Sequence, residues 1–225
     1  MATFLEMCVT TMQEGGLTGN IVSTVSQAGI HKVVVDAVAT ADYSIQGKYT
    51  NWKFLWAEWS QTLDIGANSG LFNEYNPPTD IGVFIDNDYA TKINGNAIAV
   101  AEYERVRSLA SSVATGTPSV MIVLPNGRVR MSPIPTAADL LTAEYYRAPV
   151  RMLANNDVSI IPPKHHRAIL ALAIANVHAF NGDIDNYKLF MTEHTEEMIK
   201  LESDQLLGHA LRTNASGEDN VVRAE

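Results

Sequence analysis

The side chains best suited to chemistry in this 225-residue chain are six histidines, two close pairs of acids and one cysteine. The histidines are His31, His165, His166, His178, His194 and His209. Adjacent His165 and His166 cannot face one metal from a regular helix, where neighbours diverge by about 100°. His178 is followed by Asp183 and Asp185, a loose cluster at a helix junction. It lacks the His-Glu-x-x-His spacing that sets two imidazoles on one helical face. His194 falls on the seam of the last helix, where a hydrogen-bonded packing role is expected, one that makes assembly pH-sensitive. Asp86/Asp88 and Glu102/Glu104 supply paired carboxyls, but glycosidic cleavage needs two acids across a cleft, and solvated charges account for them. No Gly-x-Ser-x-Gly elbow and no phosphate-binding glycine loop occur. Cys8 lies among Phe4, Leu5, Val9 and Met12 and reads as a buried small hydrophobe. Hence no catalytic, cofactor-binding or metal residue is assigned, no cofactor is expected, and the chain is not expected to be an enzyme.

With 46% hydrophobic residues the chain can bury a real core. One cysteine excludes an internal disulfide framework and fits a reducing compartment. The N-terminus has no basic region ahead of an apolar one, and the longest apolar run, Ala168 to Ala175, is too short to span a bilayer. A soluble protein without a membrane partner is expected. The net charge of -9 is unevenly spread. Residues 1–127 carry 6 Lys+Arg against 12 Asp+Glu, 128–167 carry 6 against 3, and 168–225 carry 4 against 10. An acidic chain argues against tight sequence-independent DNA binding. The cations Arg128, Arg130, Arg147, Arg151, Lys164 and Arg167 leave two readings open: polar strand faces and solvated loops, or a docking surface for an acidic partner.

The elements that must position these groups follow from pattern. Thr3-Phe4-Leu5-Glu6 has the capping-box form. Phe4, Leu5, Cys8, Val9 and Met12 make a helical stripe that Gly15-Gly16 ends. A second helix is predicted over about 31–46, on Val34, Val38, Ala41 and Ile45. Trp52, Trp56 and Trp59 read either as a core cluster or as a subunit contact. Residues 60–100 are predicted β-rich, with turns at Gly66 to Gly70, Asn76-Pro77-Pro78 and Asn94-Gly95-Asn96. Tyr103, Val106, Ala110 and Val113 share one helical face. Val120–Leu124 and Arg128–Ser132 are strands joined by a two-residue Asn126-Gly127 hairpin, with Val129 and Met131 inward. Pro133 and Pro135 make an extended corner before a third strand with Leu141, Ala143 and Tyr145 inward. Pro163 opens an almost wholly apolar helix that Gly182 ends. Asp183 caps a last helix with Ile184, Tyr187, Met191, His194, Met198 and Leu201 along one seam and a Glu196–Lys200 pair outside. The fold class expected is α+β, mainly α: a helical bundle with a small antiparallel sheet. Residues 1–212 are expected to form one domain, with β insertions at about 60–100 and 118–147, and 213–225 a flexible tail.

In order and spacing these features resemble the phage head-to-tail adaptor family, the ring proteins beneath the portal of tailed bacteriophages. The resemblance rests on the N-terminal helix, Ile45-Gln46 near the end of the second, Trp52-x-Phe54-Leu55 and Gly116-Thr117-Pro118. It continues through Met131-Ser132-Pro133-Ile134-Pro135, Tyr145-Tyr146-Arg147-Ala148-Pro149, Leu153, Asn156-Asp157, Ile161-Pro162-Pro163 and His165-His166-Arg167-Ala168-Ile169. It covers most of residues 3–207 and is weakest at 60–100. It implies a structural virion protein assembled in the host cytoplasm as a homo-oligomeric, usually dodecameric, ring at the head-tail junction. The implied partners are the portal protein and a tail, nozzle or stopper protein, with genomic DNA passing through the channel without sequence-specific binding. C-terminal residues of the family commonly reach onto the portal, and residues 60–100 would be an added element facing the tail. A tail-associated cell-wall hydrolase and a small DNA-packaging regulator are the alternatives, and neither has a motif behind it.

Overall fold

Thr3 begins the first helix as its pattern requires: its side chain accepts from Glu6 N while Glu6 returns a carboxylate to Thr3 N. The computed structural model describes residues 2–64, 74–86, 89–110, 112 and 114–206. Its helices are α1 (Phe4–Glu14), α2 (Gly29–Lys48), α3 (Arg107–Ala110), α4 (His166–Asn181) and α5 (Ile184–Gln205). Its strands are β1 (Trp56–Thr62), β2 (Glu74–Tyr75), β3 (Ile81–Phe84), β4 (Thr91–Ile93), β5 (Asn96–Ala97) and β6 (Ala99–Glu102), then β7 (Thr115–Gly116), β8 (Val120–Val123), β9 (Val129–Ser132), β10 (Ile134–Pro135) and β11 (Leu140–Arg147). The chain divides into a helical unit, Met1–Phe54 with Pro149–Glu225, and a β unit, Leu55–Ala148, inserted in its sequence.

In the helical unit α4 is the centre. Ala168, Ile169, Ala171, Ala173, Ile174, Ala175 and Val177 are all fully buried, and α1, α2 and α5 pack around them. The alanines let the neighbouring helices approach, and each buried isoleucine contributes about 2 kcal/mol of apolar transfer. The α1 stripe is rotated from the expected one: Met7 and Thr11 join Phe4, Cys8 and Met12 inside, while Leu5 and Val9 are half-buried. The β-prone Val33-Val34-Val35 triplet sits within α2, where tertiary packing of Val34 and Val38 outweighs propensity. Gly182 ends α4 at φ +75°, which a glycine adopts freely. Asp183 caps α5 by accepting from Asn186 N. The α5 seam is buried only near its end, at Met198 and Leu201, while Ile184 stays exposed. Lys200 pairs with Glu197 at 2.6 Å, not with Glu196.

The β unit corrects the expected mainly-α bundle. Five strands form one sheet, in the order β1-β11-β4-β5 with β3 also on β11; four form a second, β2-β9-β8-β6; β10 and β7 make a parallel pair. Nor is pairing purely antiparallel, since β6 runs parallel to β8. One core joins the two larger sheets: Ala57, Trp59, Ile93, Leu141, Ala143 and Tyr145 from the first, and Tyr75, Met121, Val129 and Met131 from the second. This is a two-sheet sandwich, built because alternate residues of β1, β9 and β11 are apolar and face one another. A helix over 103–113 does not form: a 3-10 turn at Tyr103–Arg105 ends at Val106, with φ -131° and ψ 34°, before the short α3. Beyond β8 and β9 Leu124 still meets Arg128, and three residues, Pro125-Asn126-Gly127, turn between them. Gly127 N donates to Leu124 O and Leu124 N to Arg128 O. Pro125 presets the backbone for a type I turn, and Gly127 at φ +79° supplies the left-handed residue that closes it. The Asn94-Gly95 turn has both residues at positive φ, as a two-residue hairpin requires. The expected turn at Gly66–Gly70 and the tail at 213–225 lie outside the described residues.

Candidate docking surface

The helical unit holds a network of buried polar groups beneath an exposed apolar rim. On α2, Asp42 and Gln46 stand one turn apart, both almost wholly buried. Ser159 donates its hydroxyl to Asp42 Oδ1 at 2.5 Å, and Gln46 Nε2 donates to Asp42 Oδ2 at 2.7 Å. Gln46 then reads the chain at Val150 twice, accepting its N–H at 2.9 Å and donating to its carbonyl at 3.2 Å. Ser159 Oγ also accepts from Ile161 N. Further pins hold the same 150–161 segment. Asp157 accepts from Leu153 N and Ala154 N. Phe4 N and Leu5 N at the start of α1 donate to Asp157 O and Asn155 O, satisfying two helix-end donors. Asn155 Oδ1 accepts from Thr24 N at 2.6 Å.

The irregular segment is therefore rigid, because its backbone groups are satisfied from α1, α2 and the 21–28 stretch. It displays Val150, Leu153 and Val158, and across from it stand Val22 and Val25, all exposed; Leu153 is 69% and Val22 74% exposed. A cavity of about 250 Å³ opens between α2 and the segment, with Arg151 at its edge. Exposed apolar side chains on a backbone that cannot rearrange fit a protein-docking surface, since little ordering entropy remains to be lost.

Burial pushes the Asp42 carboxyl up to about 6, against the lowering effect of Ser159 and Gln46. A raised carboxyl favours the folded state most when protonated. That contribution is complete below about pH 4, the ordinary carboxylate range, and lost as pH rises through about 6. Asp42→Asn is expected to raise stability at pH 7 by about 1–2 kcal/mol and to flatten its pH dependence between 4 and 7. Urea unfolding of both proteins across that range checks it; parallel curves would contradict it.

Each of the six cations of the 128–167 segment meets a carboxylate within its own unit. Within the β unit Arg128 and Arg130 share Glu74, and Arg147 pairs with Asp80. Within the helical unit Arg151 meets Asp36, Lys164 meets Asp204, and Arg167 bridges Glu14 and Glu193. Glu193 and Glu14 hold the Arg167 guanidinium well above its ordinary value. Lys164, with His165, holds Asp204 well below the usual carboxylate range.

Four of the histidines make packing or polar contacts within the helical unit. His165 Nε2 lies 3.0 Å from Asp204, His166 Nε2 donates to Ile161 O, and His178 sits 3.3 Å from Asp183 while stacking on Phe190. His194 Nδ1 donates to Ala168 O across α4, the packing role expected, and burial holds its pKa low. Burial pushes the Cys8 thiol up to about 12, an inert group. Among the described residues no group of three or more His, Cys, Asp or Glu could hold a metal, and no helix is long and apolar enough to cross a membrane. Of the paired acids, Asp86 and Glu102 both border a cleft of about 510 Å³ in the β unit. Both are solvent-exposed, so neither sits in the dry pocket a general acid needs. Glu104 pairs with Arg107, and Asp88 and His209 lie outside the described residues.

The tryptophans divide. Trp52 and Trp59 are core residues of the helical and β units, and Trp56 is 47% exposed. The Asp42–Gln46–Ser159 network is absent from the sequence reading above. Its one trace is two polar residues one and two turns beyond Val38, where the apolar stripe should continue. Against known families, residues 18–216 match the family model described as SU10 adaptor protein. A comparison with curated proteins finds no match.

Proposed function

The chain belongs to the SU10 adaptor protein family, a family of phage head-to-tail adaptors, and from that premise we propose that it assembles as a ring beneath the portal. The ring extends the DNA channel and offers the tail, or a nozzle or stopper, its attachment site. Membership of an adaptor family supports a structural role at the virion head-tail junction, with portal and tail proteins as partners. The observation that carries the proposal is the family match, which spans both the helical unit and the inserted β unit.

Two physical features support it. The cations of residues 128–167 each meet a carboxylate of their own unit, so the chain's charge of -9 remains uncompensated. Repeated around a ring, that excess repels phosphate and lets DNA slide. It also disfavours a DNA-binding packaging regulator. The pinned 150–161 segment, with its exposed valines and leucine, has the character of a subunit contact, and repetition around a ring makes individually weak contacts firm. On this proposal, purified chain mixed with portal rings sediments with them. A chain that stays in the supernatant at micromolar concentration counts against it.

A further inference from the structure

Among the described residues β1 is a seven-residue edge strand, bonded to β11 on one side only. Its register with β11 fixes which main-chain groups are free. Leu63 N donates to Asp139 O, one step beyond the Thr62↔Leu140 pair. Odd-numbered residues of β1 therefore exchange bonds with β11, and the N–H and C=O groups of Trp56, Glu58, Ser60 and Thr62 point to the open edge. Among the described residues none of these bonds a partner strand; Thr62 O is used by Gln61 Nε2 and the Trp56 N–H closes the 3-10 turn Lys53–Leu55, which leaves the groups of Glu58 and Ser60. Natural edges are usually blunted by lysine, proline or a bulge. β1, Trp56-Ala57-Glu58-Trp59-Ser60-Gln61-Thr62, has no lysine or proline, and its register with β11 is unbroken.

The outer face beside that edge sets two like charges opposite each other. Glu58 stands directly opposite Glu144 on β11. By the same register theirs is a non-hydrogen-bonded pair, with Cα atoms about 4.5 Å apart and side chains on one face. Like charges so placed repel. Among the described residues neither glutamate has an ion-pair partner; Trp56 Nε1 donates to Glu144 Oε2 at 3.0 Å. Lys92, which the register puts on the same face opposite Thr142, makes no ion pair with a described residue.

The geometry points to β1 as the acceptor of an added strand from a basic partner protein: an extended segment with Lys or Arg on one face and small apolar residues on the other. Its main chain bonds the free groups of Glu58 and Ser60. Its cations lie over Glu58 and Glu144 beside the exposed Trp56 ring, and its apolar face continues the row of Ala57 and Trp59. A second copy is a poor occupant, because its own Glu58 would add negative charge to a face that already repels itself. The inference does not depend on the ring.

The test uses the full chain and a blocked heptapeptide, Thr-Lys-Val-Lys-Val-Lys-Thr, followed by amide hydrogen exchange. The peptide is expected to slow exchange at Glu58 and Ser60, and its glutamate counterpart is not. Glu58→Lys should weaken binding at least about fivefold, from one attraction lost and one repulsion gained. Ser60→Pro should abolish it while leaving the β11 ladder intact, because that N–H faces outward. No protection at millimolar peptide, equal binding of the acidic peptide, or a dimer of the chain formed through β1 would each overturn the inference. If Ser60→Pro lowers the melting temperature, Glu58→Lys decides alone, and unchanged affinity overturns it.

Discussion

Trp52→Ala is expected to destabilise the helical unit by about 3–5 kcal/mol, the usual cost of emptying an aromatic site in a packed core. Trp52 is fully buried. Its ring stacks on Phe54 at 5.3 Å and meets Tyr49 edge-on at 5.2 Å. Its Nε1 donates to Ile45 O at 3.0 Å. That carbonyl lies in the last turn of α2, so truncation also removes a side-chain partner from a helix end. Trp56→Ala, four residues on, should cost no more than about 1 kcal/mol, since it removes an exposed ring and one surface hydrogen bond. Denaturant midpoints of the two variants should differ widely. Equal midpoints would contradict the division of the tryptophans between core and surface.

Deleting residues 213–225 should leave the fold and its stability intact while abolishing attachment to portal rings. The described core is complete without them: Leu201 is buried, and Glu202 pairs with Lys48 at 2.7 Å before the helix ends at Gln205. Adaptors of the resembling family commonly reach onto the portal with their C-terminal residues, and only Val221-Val222 offers an apolar anchor in this stretch. A segment that orders on its partner gains affinity there at an entropic cost that a truncated chain cannot recover by other contacts. Circular dichroism and sedimentation with portal rings check both halves. Attachment at unchanged affinity would show that the binding surface lies elsewhere, with the pinned 150–161 segment as the next place to look.

How much was legible depended on the range of each signal. The capping box at Thr3–Glu6, the apolar run of α4, Gly182 and Asp183 are local devices, and all four appear where their chemistry puts them. So does the inward set Leu141, Ala143 and Tyr145, because period-two alternation over eight residues is long enough to read. The sandwich was not legible. Most of its strands run two to four residues, and β1 carries its alternation under two tryptophans, close in sequence to Trp52, that look like a cluster in any conformation. β6 and β8 pair in parallel across an intervening 103–119 stretch, a link that no local pattern announces. The Pro125 turn shows a finer conflict: Asn-Gly argues for one hairpin and the proline before it for another, and the proline prevails. The polar network under the docking surface joins α2 to residues over 100 positions away, and only folding brings them together. The family resemblance rested on order and spacing, which survive such local ambiguities, and the match over residues 18–216 bears it out.

Electron microscopy of purified portal rings, with and without the chain, tests the central claim most directly. With it, side views should gain a second ring of density coaxial with the portal, and end views should keep an open channel. Portal rings that look the same in both preparations, at chain concentrations where sedimentation shows excess, would contradict the account.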